Sequence, residues 1–127
     1  LVPRPAGALP ILVGGGGERK TLRIVAEHAD IWHGFGDPEL IAHKHRVLDQ
    51  WCARVGRDPL TIERSAGVAY TPARLPERSD LDFAAQAQAL FDVGTRLFTL
   101  SLTTPPYDFG PVRDVLAWRD GVNAGRG

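Results

Sequence analysis

Residues 11–32 read ILVGGGGERKTLRIVAEHADIW, and their order decides the fold: a short apolar strand, four glycines, a helix and a second strand. Ile11 to Val13 is a run of buried type. The glycines let backbone approach a ligand without Cβ clash, and a helix starting near Glu18 turns its free N–H groups toward the same spot. A phosphate is the natural guest of such a site. Leu22, Val25, Ala26 and Ala29 recur at three and four residues, which predicts a helix of about 11 residues with one apolar stripe.

Outward from this stretch the same alternation repeats. Ala29-Asp30 ends the first helix and Ile31 to Phe35 reads as a strand. Asp37-Pro38-Glu39 supplies an N-cap, a proline at the first helical position and an acid in the first turn. Leu40, Ile41, Leu48, Trp51, Cys52 and Val55 form the buried face of the helix that follows, with Gly56 as its C-cap. Arg57-Asp58-Pro59 turns the chain into a strand from Ile62 to about Tyr70. Residues 71–80 hold two prolines and four charges and read as a loop. A helix from about Leu81 to Val93, with Ala84, Ala87, Leu90 and Phe91 inward, stops at Gly94. Arg96 to Leu102 is then a strand, and Thr103 to Pro106 a turn. Pro111 starts a last helix in which Val112, Val115, Leu116 and the stem of Arg119 face the core, and Asn123 to Gly127 reads as a frayed end.

The sum is four strand–helix units, so the class is α/β, and connections through helices make the sheet parallel. Four such units fit either an open doubly wound sheet or half of an eight-unit barrel, since a full barrel takes about 250 residues. The length of 127 residues suits a single domain. The chain has no methionine and opens on Leu1 in a loop-like segment. This reads either as the end of something longer or as an alternative start codon translated as leucine.

Fifteen basic and fifteen acidic residues cancel without forming runs, which argues against a nucleic-acid partner. The single cysteine, Cys52, cannot form an internal disulfide and falls on an apolar helix face, where it reads as a buried structural thiol of a cytoplasmic protein. No apolar run approaches the roughly 20 residues of a spanning helix, and no signal pattern is visible, so no membrane association is expected.

The glycine loop fails two familiar phosphate motifs. Gly14 to Thr21 matches a P-loop except that Arg19 stands where the second glycine is required. For a dinucleotide fingerprint Gly14 and Gly16 are present, but Arg19 replaces the third glycine, and no acid is placed to read a ribose at the end of the second strand. What the stretch resembles is the luciferase-like monooxygenase family, in particular its branch that uses the deazaflavin coenzyme F420. In that family a segment similar to PILVGGGGERKTLRIVAEHADIWH forms the fifth strand, loop and helix of a TIM-like barrel. The stretches DPELIAHKHRVLDQWCARVGRDPLTIERSAGV and AQALFDVGTRLFTLSL look like later pieces of the same half. The resemblance spans the whole chain and implies the C-terminal half of a (β/α)8 barrel.

It further implies an oxidoreductase that transfers hydride between F420, or alternatively FMN, and a small organic substrate. The cofactor-phosphate loop falls on Gly15, Gly16, Gly17 and Glu18, with Thr21 one turn into the helix as a hydroxyl donor. Glu18 would contribute its N–H, its side chain turned to solvent, and Lys20 is either a source of charge or plain surface. Many relatives carry Ala-Asp-Gly-Trp-Asn where this chain has Ala29-Asp30-Ile31-Trp32-His33. His33 is thus either a pocket residue able to titrate near neutrality or a hydrogen-bonded edge histidine. Trp32 is either a wall of the substrate pocket or core.

Ring and substrate contacts in the family come largely from the first four strands, so catalytic residues cannot be assigned on this chain. Four strands with helices on one side leave an apolar face and two edges uncovered, which predicts pairing with an N-terminal half or self-association. The alternative function is a non-enzymatic, phosphate-binding or self-associating half-barrel remnant, for which Arg113 and Arg119 are surface candidates. His43 and His45, two apart on a helix, face different ways and share no metal. His28 suits a helix end. Trp51 and Trp118 read as packing residues. Tyr107 and Asp108 lie in the last βα loop, either at the functional face or simply at a loop tip.

Overall fold

The structure is a computed structural model that describes residues 5–68, 82–101 and 105–125. Four βα units follow one another: β1 (Leu12–Gly14), α1 (Thr21–His28), β2 (Ile31–Gly34), α2 (Pro38–Val55), β3 (Glu63–Gly67), α3 (Phe83–Asp92), β4 (Leu97–Thr99) and α4 (Gly110–Ala124). A single 3-10 turn, Pro59–Thr61, precedes β3. All neighbouring strands pair in parallel, and their spatial order is β1-β2-β3-β4.

That order contains no switch point among the described strands. A doubly wound sheet reverses its strand order at a switch point, whereas a strictly sequential order with right-handed crossovers puts every helix on one face. The register Val13↔Trp32, Trp32↔Arg64 and Ala66↔Phe98 defines that covered face. Trp32 and Ala66 are fully buried there beneath Leu22, Val25, Ala26, Ile41, Leu48 and Cys52. The opposite face carries Leu12, Ile31, His33, Glu63, Ser65, Leu97 and Thr99, and Leu12 is 53% exposed.

Local signals explain the helix boundaries. Asp37 accepts the Leu40 N–H at 2.8 Å, Pro38 opens α2, and Gly56 closes it in the left-handed region at φ 71°. Asp82 caps α3 by accepting the Ala85 N–H at 2.9 Å, one residue beyond the Leu81 predicted as its start, which lies outside the described residues. The predicted ends of β3 and β4, Tyr70 and Leu102, and the loop 71–80 also lie outside them.

Several expectations are corrected. Ile11 and Leu12 are half exposed rather than buried: Leu12 lies on the second face of β1, which no layer covers among the described residues, and Ile11 precedes the strand at the edge of the sheet. Leu40 and Val55 are exposed on α2, and His45 takes a place in its buried face. On α4, Leu116 and Arg119 are exposed, while Trp118 turns inward, edge-on to Phe91 and Phe98 at 5.9 and 5.4 Å. Asn123 and Ala124 are still helical. Among the described residues no helix is long and apolar enough to cross a membrane.

Candidate functional site

The C-terminal ends of parallel strands, where βα loops emerge, are the usual place for a site in such folds. Here the loop after β1 is built by its glycines. Gly15 adopts φ 122°, a backbone that side-chain-bearing residues rarely enter; its N–H donates to the His33 carbonyl at 3.1 Å and its own carbonyl accepts the Trp32 indole N–H at 2.8 Å. At Gly17 a Cβ would stand 2.8 Å from Thr21 Oγ1, so a side chain there collides with the hydroxyl. The Gly17 carbonyl accepts the Leu22 N–H at 2.9 Å, and the Glu18 carbonyl accepts the Trp51 indole N–H at 2.7 Å.

With the loop's carbonyls drawn inward, the N–H groups of Gly16, Gly17 and Glu18 have no acceptor among the described residues. The helix itself starts at Thr21 rather than near Glu18, because residues 18–20 form a turn; α1 is therefore 8 residues long instead of the predicted 11 or so. The unpaired N–H groups thus belong to the loop and not to the first helical turn.

Two side chains that the sequence reading did not place complete the electrostatics. Lys44, from α2, lies over the loop: a Cβ on Gly16 would be 3.4 Å from its Cε and 4.0 Å from its ammonium. Its ammonium donates to Glu18 Oε1 at 2.6 Å, and His43 Nε2 donates to the same oxygen at 2.9 Å. The carboxylate expected in solvent keeps 42% of its side chain exposed and at the same time accepts from Lys44 and His43. Those two donors hold its pKa below the ordinary value. Lys20, in the turn before α1, is exposed. The 26-residue separation of Glu18 and Lys44 made the pair invisible to spacing; only the packing of α1 on α2 brings them together.

Trp32 and His33 part company. Trp32 is fully buried on the helix side, edge-on to His45 at 5.4 Å, and is core rather than a pocket wall. His33 lies on the open face, its Nδ1 sharing a hydrogen bond with Ser65 Oγ at 2.8 Å and its ring edge-on to Phe35 at 4.8 Å. Partial burial pushes its pKa below the ordinary value, so the ring is neutral near pH 7. On this face Gly14 stands opposite His33, and Gly67 and Thr99 are the next positions toward the ends of β3 and β4, which leaves room beside the imidazole. Glycine loop and His33 are joined directly by the Gly15–His33 backbone bond.

His28, Tyr107 and Arg113 are exposed; Asp108 accepts the Gly110 N–H at 2.8 Å, and Arg119 pairs with its neighbour Asp120 at 2.7 Å. Cys52 is buried among apolar side chains, and burial pushes its thiol pKa up. No protein-family model matches the chain, and no curated protein is detectably similar to it. What stands is a parallel α/β sheet of four βα units in sequential order, with a glycine loop, a lysine–glutamate–histidine cluster and a neutral histidine at one end.

Proposed function

We propose that the chain is a luciferase-like half-barrel whose glycine loop holds the phosphate of a deazaflavin or flavin, F420 in the first instance and FMN in the second. The observation that carries this reading is the set of unpaired loop N–H groups at Gly16, Gly17 and Glu18, with the Lys44 ammonium poised over Gly16. Consecutive N–H groups and a lysine are complementary to a phosphate, and the absence of Cβ atoms at residues 15–17 allows close approach. Thr21, half-buried beneath Gly17, is within reach as a hydroxyl partner. When bound, such a cofactor supplies hydride transfer; the chain's share is to hold and orient it and to shape the substrate space.

The same geometry adds a condition. Lys44 already carries an anion, so a phosphate must displace the Glu18 carboxylate from it. Replacing Glu18 by Gln frees the ammonium and tightens phosphate binding. His33 and the space beside it at Gly14 and Gly67 offer the small organic substrate a neutral, polar contact next to the loop.

Titration of the purified chain with F420 and with FMN, followed by cofactor fluorescence, tests the reading. Saturable binding that is lost in Gly16→Asp, weakened in Lys44→Ala and tightened in Glu18→Gln is the expected result. Binding of inorganic phosphate without preference for either cofactor would favour a non-enzymatic phosphate module instead. Binding of none of the three would remove the loop from consideration as a phosphate site.

A further inference from the structure

His33 on β2 and Ser65 on β3 are register partners on the sheet face opposite the helices, and one bond joins their side chains: Ser65 Oγ and His33 Nδ1 are 2.8 Å apart. Ser65 is fully buried, and among the described residues that nitrogen is the one hydrogen-bond partner of its hydroxyl. The other end of the imidazole is different. The buried side-chain nitrogens and oxygens left without a partner among the described residues are His45 Nε2 and Thr95 Oγ1, so His33 Nε2, which has no partner among them either, is reached by solvent.

These two facts fix where the ring hydrogen sits. A neutral imidazole carries one hydrogen, on Nδ1 or on Nε2, and burial keeps His33 neutral near pH 7. With the hydrogen on Nδ1, that N–H would donate to Ser65 Oγ, and the hydroxyl hydrogen would be left without an acceptor where water does not reach. An orphaned buried donor is the rarer and costlier fault; unused lone pairs, which the opposite arrangement leaves on Ser65, are better tolerated. At Nε2 water serves equally well as donor or acceptor, so that end sets no preference. Ser65 therefore donates to Nδ1, and the ring hydrogen is on Nε2.

We infer that Ser65 holds His33 as a hydrogen-bond donor beside the glycine loop, and that the group it receives is the carbonyl oxygen of a small organic substrate. The inference rests on the oxidoreductase reading for the nature of the ligand but not for the state of the ring. With Nε2 protonated, the ring offers no lone pair to the hydrogen of an alcohol or an ammonium group, so it is not a general base and it selects for acceptors. The surroundings suit a flat body that bears such an oxygen. Phe35, 47% exposed, stands edge-on to the imidazole at 4.8 Å; Gly14 lies opposite His33, and a Cβ on Gly67 would meet only Thr99 Oγ1 within 4 Å, at 3.6 Å. A neutral imidazole donor also favours an oxygen on which negative charge develops, and no proton has to leave the ring for that. His33 makes the contact, and Ser65 is a positioning residue that acts through it.

Long-range proton–nitrogen correlation spectra of the nitrogen-labelled 127-residue chain near pH 7 test the state of the ring, and acetophenone, with benzylammonium as its donor-only counterpart, tests the ligand class. The expected spectrum shows His33 Nε2 as the hydrogen-bearing nitrogen and Nδ1 as the bare one; in Ser65→Ala the Nδ1 signal moves as its hydrogen bond is lost. Acetophenone shifts the Nε2 signal saturably, benzylammonium leaves it in place, and His33→Phe weakens acetophenone binding roughly tenfold. A hydrogen on Nδ1 in the parent chain overturns the inference, as does an Nδ1 signal that ignores the loss of Ser65. Equal response to both probes, or response to neither, overturns the carbonyl assignment. The parent spectra decide the matter if a variant unfolds. Cofactor titration of the same samples separates the two readings: a chain that binds F420 or FMN without acetophenone keeps the phosphate loop and loses this contact, and one that binds acetophenone at His33 without either cofactor keeps the donor and loses the oxidoreductase reading.

Discussion

The two faces of the sheet are made by alternate residues of the same strands, yet they behave as different materials. On one, Trp32, Gly34 and Ala66 are sealed under four helices; on the other, Leu12, Glu63 and Thr99 meet solvent, and His33 and Ser65 satisfy each other. Sequential strand order is the cause, because it sends every crossover to the same side. Stability is therefore concentrated on the covered face, and the open face is left available for ligand or partner.

The largest expected difference is between their side chains. Trp32→Ala removes the largest fully buried side chain among the described residues and the anchor of the Gly15 carbonyl, and costs about 3–5 kcal/mol in urea unfolding; Thr99→Ala on the open face stays within about 0.5 kcal/mol. Comparable losses at both positions would break the contrast. The glycines give a finer version of it. A Cβ at Gly34 would lie 2.5 Å from the Trp32 ring and 2.7 Å from Ile41 Cδ1, so Gly34→Ala overpacks the core at about 1–3 kcal/mol. At Gly67 the nearest atom is Thr99 Oγ1 at an ordinary 3.6 Å, and Gly67→Ala is neutral or stabilising by less than about 1 kcal/mol. The same unfolding assay ranks the pair.

The smallest effect concerns the two histidines. His45, beneath the covered face, donates from Nδ1 to the Val93 carbonyl at 2.8 Å and keeps Nε2 buried without a partner, so a second proton has nowhere favourable to go. Burial lowers the pKa of His45, as it does that of His33 on the open face. Both rings are neutral above the unfolded value of about 6.5. As pH falls below it the unfolded chain takes up protons that the native one resists, and stability declines. His45→Gln should flatten that acid-side slope of the unfolding midpoint more than His33→Gln, in keeping with its deeper burial; equal slopes would mean that the open face shields His33 as well as the helices shield His45.

Periodicity alone was sufficient for the buried stripe of α1, where Leu22, Val25, Ala26 and Ala29 all reach zero exposure. The caps at Asp37 and Gly56 were equally legible, because they act within a few residues of chain. It was less informative where one chain segment meets another. Leu116, expected inward on α4, is exposed, since the helix turns to set Trp118, read as a packing residue, on Phe91, Phe98 and the Gln88 side-chain oxygen. His45 entered the core because Val93 supplies an acceptor 48 residues away.

At the candidate site the glycine run and the neighbouring His33 could be picked out as residues, but not their surroundings. Glu18 could not be known to hold Lys44 and His43, nor Trp51 to hold the Glu18 carbonyl, because these contacts exist only once α2 packs across α1.

By itself, then, the sequence determined the α/β class, the succession of units and the loop that only glycine can form, all of which follow from local sterics and periodic burial. Tertiary structure alone decided the strand order, the face on which Trp32 and His33 part, and the cation that sits over the loop. Those depend on contacts between residues tens of positions apart, whose free energy appears only when the helices and the sheet are assembled together.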